Sequence, residues 1–150
     1  MNSFGAKVKY IEKELYQKII ENVVNLCVDI IIKCDGKYLL VTRNEQPMKG
    51  DPWVIGGRIH QRETARYAAI RKLKEEVGIF HPKNLRPIGY YEDVFNSNSF
   101  SDKTVYHSFS LVFECEIDST DDIVLDDTSQ TWALYDSLPE RFKLIKIYGE

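Results

Sequence analysis

The stretch from residue 53 to residue 78 constrains the fold more than any other part of the chain. A short apolar run leads into Gly56-Gly57, a pair that suits a tight loop because glycine carries no Cβ. From residue 64 to residue 77 apolar side chains recur at helical spacing, and Gly78 stands where a helix C-cap is expected. The sequence therefore predicts a strand, a glycine loop and a central helix in direct succession.

Strand patterns on both sides of this stretch predict a mixed sheet. The predicted strands cover residues 26–32, 38–43, 53–55, 85–92, 106–117 and 132–135. Asp35-Gly36 marks a hairpin turn between the first two. Helical spacing at residues 10–24 predicts an N-terminal helix, and Pro139 is expected at the first position of a C-terminal helix ending near Tyr148. The whole predicts an α/β (α+β) mixed sheet in one domain, residues 1–150.

Charge and composition exclude several classes of function. With 20 Lys and Arg against 23 Asp and Glu, the net charge is −3, which gives no general attraction to nucleic acid or to an anionic membrane. No apolar run approaches the roughly 20 residues that span a bilayer, so we expect a cytoplasmic protein. The three cysteines lack a C-x-x-C pair and are expected to be free and buried. Any binding of phosphate must then be local.

Charged residues on the central helix point to such local chemistry. Arg71, Glu75 and Glu76 fall at i, i+4 and i+5, so they share one flank of the helix within reach of the glycine loop. Carboxylates hold Mg²⁺ or Mn²⁺, and arginines bind phosphate oxygens. Each feature alone is also typical of an ordinary ion pair or turn. Together they indicate metal-assisted chemistry on a phosphorylated ligand.

The spacing G-x5-E-x7-R-x-U-x-E-E-x-G-U, with U aliphatic, resembles the Nudix box. The residues that carry it are Gly57, Glu63, Arg71, Leu73, Glu75, Glu76, Gly78 and Ile79. The resemblance implies a Nudix-type α/β/α sandwich. It also implies hydrolysis, with a divalent metal, of a nucleoside diphosphate linked to another moiety.

One position departs from the box. The family's Arg is normally followed by a metal-binding Glu, and here that residue is Lys72. Either catalysis is lost, or the chain belongs to a branch that uses fewer metal ligands. The chain is similar to such a branch, the GDP-mannose mannosyl hydrolases, which attack the sugar carbon instead of phosphorus. The likeness includes Asp29 in the first strand and Arg43 followed by Pro47, and it implies a homodimer.

The resemblance implies a role for each matching residue. The Gly56 carbonyl and the Glu76 carboxylate would bind Mg²⁺, with Mn²⁺ as an alternative, and Glu75 is a further candidate ligand. Arg58 would stabilise the departing diphosphate, and Arg71 would orient that charge or a metal-binding carboxylate. Arg43 would contact the nucleotide phosphates.

Other candidates depend on less specific signals. Asp29, inside an apolar strand, is expected to bond an arginine or the ligand, or else to sit at a strand edge. By the same resemblance, Asp126 and Asp127 of the acidic loop take the places of a metal ligand and a general base. The alternative is that this loop is only a solvated surface. Asp93 and His107 are candidate substrate-binding residues. The other histidines, His60 and His81, are expected on the surface.

Three functions remain open at this point. The first is attack at the sugar C1 of a nucleoside diphosphate sugar, releasing sugar and nucleoside diphosphate. The second is attack at phosphorus of a nucleoside diphosphate derivative. The third is a non-catalytic module that binds a nucleotide sugar. Neither nucleic acid nor a membrane is expected as a partner.

Overall fold

The computed structural model describes residues 10–46, 48–97 and 104–145. Its elements in chain order are α1 (Lys13–Asn22), β1 (Asn25–Cys34), β2 (Lys37–Arg43), β3 (Pro52–Trp53), β4 (Ile55–Arg58), α2 (Ala65–Val77), β5 (Lys83–Phe95), β6 (Tyr106–Glu116), β7 (Ser129–Tyr135) and a 3₁₀-helix (Glu140–Leu144). Pro47, and the predicted C-terminal helix past residue 145, lie outside the described residues.

The strands form one mixed sheet with the order β3-β2-β1-β6-β5, in which β4 also pairs with β1 and β7 with β2. β1 and β6 run parallel, and the other pairs are antiparallel. Asp35 and Gly36 have the positive φ angles that a tight turn between β1 and β2 requires. Side chains on both faces of β1 are buried, so both faces of the sheet are covered there.

Helix α2 covers one face of the sheet. Its first turn is capped by Thr64, whose side chain accepts from the Tyr67 N–H at 3.3 Å, and Gly78 ends it in the left-handed conformation with φ 72°. Leu73 and Val77 are fully buried against the sheet. Burial of side chains of this size stabilises the fold by roughly 1.5–3 kcal/mol each. Packing of this face therefore fixes the position of the charged residues on the other flank of the helix, Arg71, Lys72 and Glu75.

The opposite face is closed by the C-terminal 3₁₀-helix. The Phe142 ring lies 5.0 Å from the Trp53 ring and 5.5 Å from the Tyr91 ring, measured between centroids. Pro139 has ψ 147° and stands before the helix, not at its first position, and in the described residues the predicted α-helix is a 3₁₀-helix of five residues. This short helix places one aromatic side chain, that of Phe142, on the sheet.

The predicted mixed α/β sheet is confirmed, and so are the free, buried cysteines. The central helix begins one residue after the predicted position and ends where predicted. Strand β5 runs from Lys83 to Phe95, longer than the pattern indicated, because it pairs with β6 along its whole length. In the part of the chain that the structure describes, no helix is long and apolar enough to cross a membrane.

Candidate active site

A cavity of about 350 Å³ gathers residues from both α-helices and from strands β1 to β6. Its charged lining side chains are Asp29, Arg43, Glu45, Arg58, Arg71, Lys72, Glu75 and Glu76. Its aromatic lining residues are Tyr10, Tyr16, Trp53, Tyr91, Phe95 and Tyr106. The lining therefore combines four cationic side chains, which can bind phosphate oxygens, with four carboxylates.

The glycine pair lets two charged groups lie against the backbone of β4. Gly56 pairs with Asp29 across the β1–β4 ladder, and a Cβ on Gly56 would lie 2.2 Å from Asp29 Oδ1 and 2.3 Å from the Val28 carbonyl oxygen. A Cβ on Gly57 would lie 3.0 Å from Lys72 Cε and 3.3 Å from its Nζ. A side chain at either position would compete for space with Asp29 or Lys72.

Arg71 fixes the loop that joins β4 to α2. Its Nε donates to Glu63 Oε1 at 2.7 Å, and its Nη2 donates to Glu63 Oε2 and to the Arg58 carbonyl, both at 3.0 Å. Glu63 Oε2 also accepts from the His60 N–H at 2.9 Å. Burial would raise the pKa of Glu63, but the hydrogen bonds from Arg71 and His60 hold it below its ordinary value. Arg71 is a positioning residue in this arrangement.

The ammonium of Lys72 pairs with Glu76. Nζ lies 2.5 Å from Glu76 Oε1 and 3.8 Å from Glu75 Oε2. The Lys72 side chain is only 13% exposed and that of Glu76 only 7%. Burial raises the pKa of Glu76, and the Lys72 charge opposes that rise. Lys72 therefore neutralises the carboxylate that the sequence predicts as a metal ligand.

Glu75 accepts hydrogen bonds at the rim of the cavity. Its Oε2 accepts from Arg71 Nη1 at 3.2 Å, and its Oε1 accepts from the Tyr10 hydroxyl at 3.1 Å. The Tyr10 ring also packs edge-on against His60, with the ring centroids 4.9 Å apart. The segment that precedes α1 thus forms one wall of the cavity.

Asp29 is a buried carboxylate in the lining. The Tyr91 hydroxyl donates to its Oδ2 at 2.5 Å, and Ser110 is a second hydrogen-bond partner. Burial raises the pKa of Asp29, and these two hydrogen bonds limit the rise. The predicted strand edge is wrong, because Asp29 lies on an interior strand, and its hydrogen-bond partners within the described residues are hydroxyl groups and not an arginine. The alternative of a ligand partner stays a prediction. A carboxylate with a raised pKa is a stronger proton acceptor than an exposed one.

Arg43 has unused hydrogen-bonding capacity. It ends β2 at a shift of register between Thr42 and Arg43. Its Nε is buried and has no hydrogen-bond partner within the described ranges. A buried N–H without an acceptor costs free energy, and an anionic ligand in the cavity is the acceptor that such a group lacks.

Arg58 lies over the ring of Tyr16, with Cζ 5.1 Å from the ring centroid, and its Nη2 is 3.4 Å from His60 Nδ1. The expectation that His60 is a surface residue is wrong, because its side chain is buried. The contact with Tyr10 and the bond from its N–H to Glu63 hold it inside. His60 thus helps to place the Arg58 guanidinium.

The acidic loop contributes Thr128 to the cavity lining but neither Asp126 nor Asp127. Asp126 Oδ1 accepts from the Thr128 N–H at 2.9 Å and from its hydroxyl at 2.5 Å. The Asp127 side chain is exposed, and its carbonyl accepts from the Asn44 amide at 2.8 Å. Local turn bonds occupy the Asp126 carboxylate, and the exposed Asp127 side chain lies outside the cavity lining; their roles as metal ligand and general base stay predictions.

Asp93 and His107 also lie outside the lining. Both oxygens of Asp93 accept from Arg141, which anchors the 3₁₀-helix to β5. His107 Nε2 lies 3.7 Å from Glu92 Oε1 at the surface. A salt bridge occupies the Asp93 carboxylate, and the His107 side chain lies beside Glu92. Neither placement brings the residue to the cavity, where the predicted contact with substrate would be made.

The cavity lining contains oxygen donors for a divalent cation. In residues 10–46, 48–97 and 104–145, no three His, Cys, Asp or Glu side chains are grouped as ligands of one ion. The Gly56 carbonyl and the Glu76 carboxylate are oxygen donors of the kind that Mg²⁺ and Mn²⁺ prefer. The described residues thus supply two candidate oxygen donors, and the Lys72 ammonium already pairs with one of them.

Two contacts between side chains of the cavity were not predicted. Tyr91 bonds Asp29 only because β6 separates β1 from β5, and this order is not a local sequence signal. Tyr10 reaches Glu75 across 65 positions of the chain. The Lys72–Glu76 pair, in contrast, has the i, i+4 spacing of a helical ion pair, a signal that the sequence does contain.

Comparisons with known proteins agree with this geometry. The family model described as the NUDIX domain matches residues 25–148. The chain is 28% identical over 111 residues to the low-salt glycan biosynthesis protein Agl8 of Haloferax volcanii, covering 74% of this chain and 70% of that protein. It is 33% identical over 96 residues to the ADP-ribose pyrophosphatase of Methanocaldococcus jannaschii, covering 61% of this chain and 55% of that protein. The MutT NUDIX hydrolase of Burkholderia pseudomallei has the same fold, with a TM-score of 0.65, 20% identity and coverage of 79% and 89%. The predicted homodimer and cytoplasmic location stay predictions.

Proposed function

This chain belongs to the NUDIX domain family, and on that premise we propose that it hydrolyses a nucleoside diphosphate derivative, with a GDP-mannose-like nucleotide sugar as substrate. The observation that carries the proposal is the convergence of Arg43, Arg58 and Lys72 on a cavity that also contains Asp29. A diphosphate has the negative charge that these cations attract, and the aromatic lining suits the ring of a base or a sugar.

The two arginines have different parts in this proposal. Arg43 gives its buried Nε–H to a phosphate oxygen of the nucleotide, which supplies the acceptor that it lacks. Arg58, held by Tyr16 and His60, stabilises the departing diphosphate. Because negative charge grows on the leaving group, a cation already in position stabilises the transition state more than the substrate.

We assign one divalent cation, Mg²⁺ or Mn²⁺, to the Gly56 carbonyl and Glu76. Glu75 and Asp126 are the other acidic groups of the predicted set, and each also has protein partners. When bound, the cation adds positive charge opposite the diphosphate.

We assign the proton transfer from the attacking water to Asp29. It lines the cavity, and its raised pKa suits a group that must accept a proton at neutral pH. Tyr91 and Ser110 hold the carboxylate in place by donating to it. Asp127, the base that the sequence favours, has no comparable position, since its side chain is exposed outside the lining.

Different observations favour attack at carbon and attack at phosphorus. Lys72 in place of the box Glu supports attack at sugar C1. The 33% identity to a protein named ADP-ribose pyrophosphatase supports attack at phosphorus, with a nucleoside monophosphate as product. The ion pair of Lys72 with Glu76 is also the observation that favours a non-catalytic binding module.

Hydrolysis in ¹⁸O-labelled water distinguishes these functions. GDP-mannose, GDP-glucose, ADP-ribose and a UDP-sugar are incubated with Mg²⁺, and the products are identified by mass. Labelled sugar beside unlabelled nucleoside diphosphate is the expected result and establishes attack at carbon. Label in a phosphate, with a nucleoside monophosphate, establishes attack at phosphorus. Binding without turnover would leave the non-catalytic module.

A substitution at Glu76 tests the assigned site within the same assay. Glu76→Gln is expected to lower kcat by about 10²–10³-fold, because it removes the charge of the one buried helix carboxylate in the cavity. Glu14→Gln, on the exposed side of α1, is the matched control and keeps full activity. An unchanged rate in Glu76→Gln contradicts the metal assignment.

A further inference from the structure

Lys72 places a permanent positive charge at the carboxylate that the proposed function gives to a metal. Nζ is 2.5 Å from Glu76 Oε1, and Lys72 itself lines the cavity. We infer that the Lys72 ammonium competes with the divalent cation for Glu76, so that the site binds the cation weakly, and that the ammonium itself gives the substrate diphosphate a positive charge. The first part of this inference rests on the metal that the proposed function assigns to Glu76, and the second on its diphosphate substrate.

The surroundings of Lys72 fix the position of its ammonium. The end of the side chain packs along Gly57, where a Cβ would lie 3.0 Å from Cε. The side chain is 13% exposed, so solvent does not compete strongly for its charge. The Lys72 ammonium is therefore held at a fixed position in the cavity, as a bound metal ion is.

An ammonium at this point has hydrogen bonds to spare. It carries three N–H donors, of which one satisfies Glu76. Glu75 at 3.8 Å is beyond hydrogen-bond distance and adds only electrostatic attraction. Donors are therefore left for phosphate oxygens in the cavity, which Arg43 and Arg58 also line.

A purely structural ion pair does not explain these features. An exposed i, i+4 ion pair on a helix stays hydrated, so it has little desolvation cost. Burial removes both charges from water, and the attraction between them offsets only part of that desolvation cost. Two apolar side chains would stabilise the same place in the core at least as well. The buried charge is explained when it binds a ligand of opposite sign.

Binding of Mn²⁺ without nucleotide, measured by electron paramagnetic resonance, tests the first half of the inference. Lys72→Met is expected to bind Mn²⁺ with a dissociation constant lower by about tenfold or more than the wild type, because Glu76 loses its competitor. Lys72→Gln, which is polar and nearly as long, is expected to behave alike. Lys74→Met removes the same charge from an exposed position on the same helix and keeps the wild-type affinity.

Binding of GDP and ADP in excess EDTA tests the second half. Wild type and Lys74→Met are expected to bind in isothermal calorimetry, and Lys72→Met to bind at least about tenfold more weakly. Thermal unfolding shows whether each variant is folded.

Equal Mn²⁺ affinity in wild type and both Lys72 variants overturns the inference, and so does absence of Mn²⁺ binding in all of them. Equal nucleotide affinity without metal, or none in the wild type, overturns it as well. If Mn²⁺ and nucleotide bind as expected but no sugar nucleotide is turned over, the proposed hydrolase is contradicted and this inference stands.

Discussion

Arg71 and Glu63 are joined by two nearly parallel hydrogen bonds, from Nε to Oε1 at 2.7 Å and from Nη2 to Oε2 at 3.0 Å. The two residues are eight positions apart, one on α2 and the other in the loop before it. Because Nη2 also bonds the Arg58 carbonyl, the pair ties the end of β4 to the helix. The same helix carries Lys72 and Glu76, so this tie sets their distance from the glycine loop.

Loss of the Glu63 charge is expected to destabilise the fold. The Glu63 side chain is 2% exposed, and Glu63→Gln leaves the Arg71 guanidinium with only the more exposed carboxylate of Glu75 as an ionic partner. We expect the free energy of unfolding, measured with urea, to fall by about 3 kcal/mol. Glu75→Gln is the control, since that carboxylate is 38% exposed and its loss is expected to cost less than about 1 kcal/mol. Equal effects of the two substitutions would contradict the positioning role.

The same pair predicts how stability depends on pH. The pKa of Glu63 is held below its ordinary value of 4.5, because hydrogen bonds from Arg71 and His60 outweigh the opposing effect of burial. A carboxylate whose pKa is lowered by folding stabilises the native state above its unfolded value, and this stabilisation disappears as pH falls through the folded value. The difference in unfolding free energy between wild type and Glu63→Gln is therefore expected to shrink below pH 4.5. A difference that stays constant on acidification would show that Glu63 is not ionised in the fold.

Much of the fold follows from local patterns in the sequence. The hairpin at Asp35 and Gly36 and the span of α2 depend on residues that are neighbours in the chain, and both agree with the structure. The glycine pair and the box residues likewise indicated one site between the glycine loop and one flank of α2, where Lys72 and Glu76 line the cavity. These signals are local because helix spacing and turn chemistry are local.

The partners of single side chains could not be predicted in the same way. Asp29 meets Tyr91 only through the order β1-β6-β5, which joins residues 62 positions apart. The position of Asp126 was inferred by counting back from Trp132, but its side chain turns to Thr128 because a local turn bond satisfies it. Asp93 lies beside Arg141 because the 3₁₀-helix packs on β5. Each outcome depends on tertiary contacts or loop conformation that the pattern does not contain.

Asp29→Asn is expected to abolish most of the activity without lowering stability. The pKa of Asp29 is raised by burial, so its ionised form destabilises the fold at neutral pH, and the neutral amide avoids that cost. As the proposed base, its loss is expected to lower kcat by about 10²–10⁴-fold. Asp93→Asn is the contrasting control, since it breaks a salt bridge outside the cavity and should affect stability more than kcat. Steady-state kinetics and urea unfolding of both variants provide the comparison.

The acidic loop is expected to tolerate loss of its charges. Asp127→Asn changes an exposed side chain, so kcat/KM should stay within about threefold of the wild type. Asp126→Asn weakens the bonds to Thr128 and is expected to reduce stability by about 1 kcal/mol with a similarly small effect on rate. A fall in kcat by more than about tenfold in either variant would contradict this prediction and support a role of that residue in catalysis.

The two glycines of the loop are expected to respond differently to alanine. In Gly56→Ala the new Cβ meets the Val28 carbonyl and Asp29 Oδ1 at 2.2–2.3 Å, and backbone on a buried strand cannot move away cheaply. We expect this variant to lose more than about 2 kcal/mol of stability, or to fail to fold. In Gly57→Ala the nearest atoms are the end of the flexible Lys72 side chain, at 3.0 Å and beyond, so stability should change by less than about 1 kcal/mol. The displaced ammonium should then leave Glu76 and raise the affinity for Mn²⁺, as removal of Lys72 does. Thermal unfolding and Mn²⁺ titration of the two variants check both expectations, and similar stability of the two would contradict the packing described for Gly56.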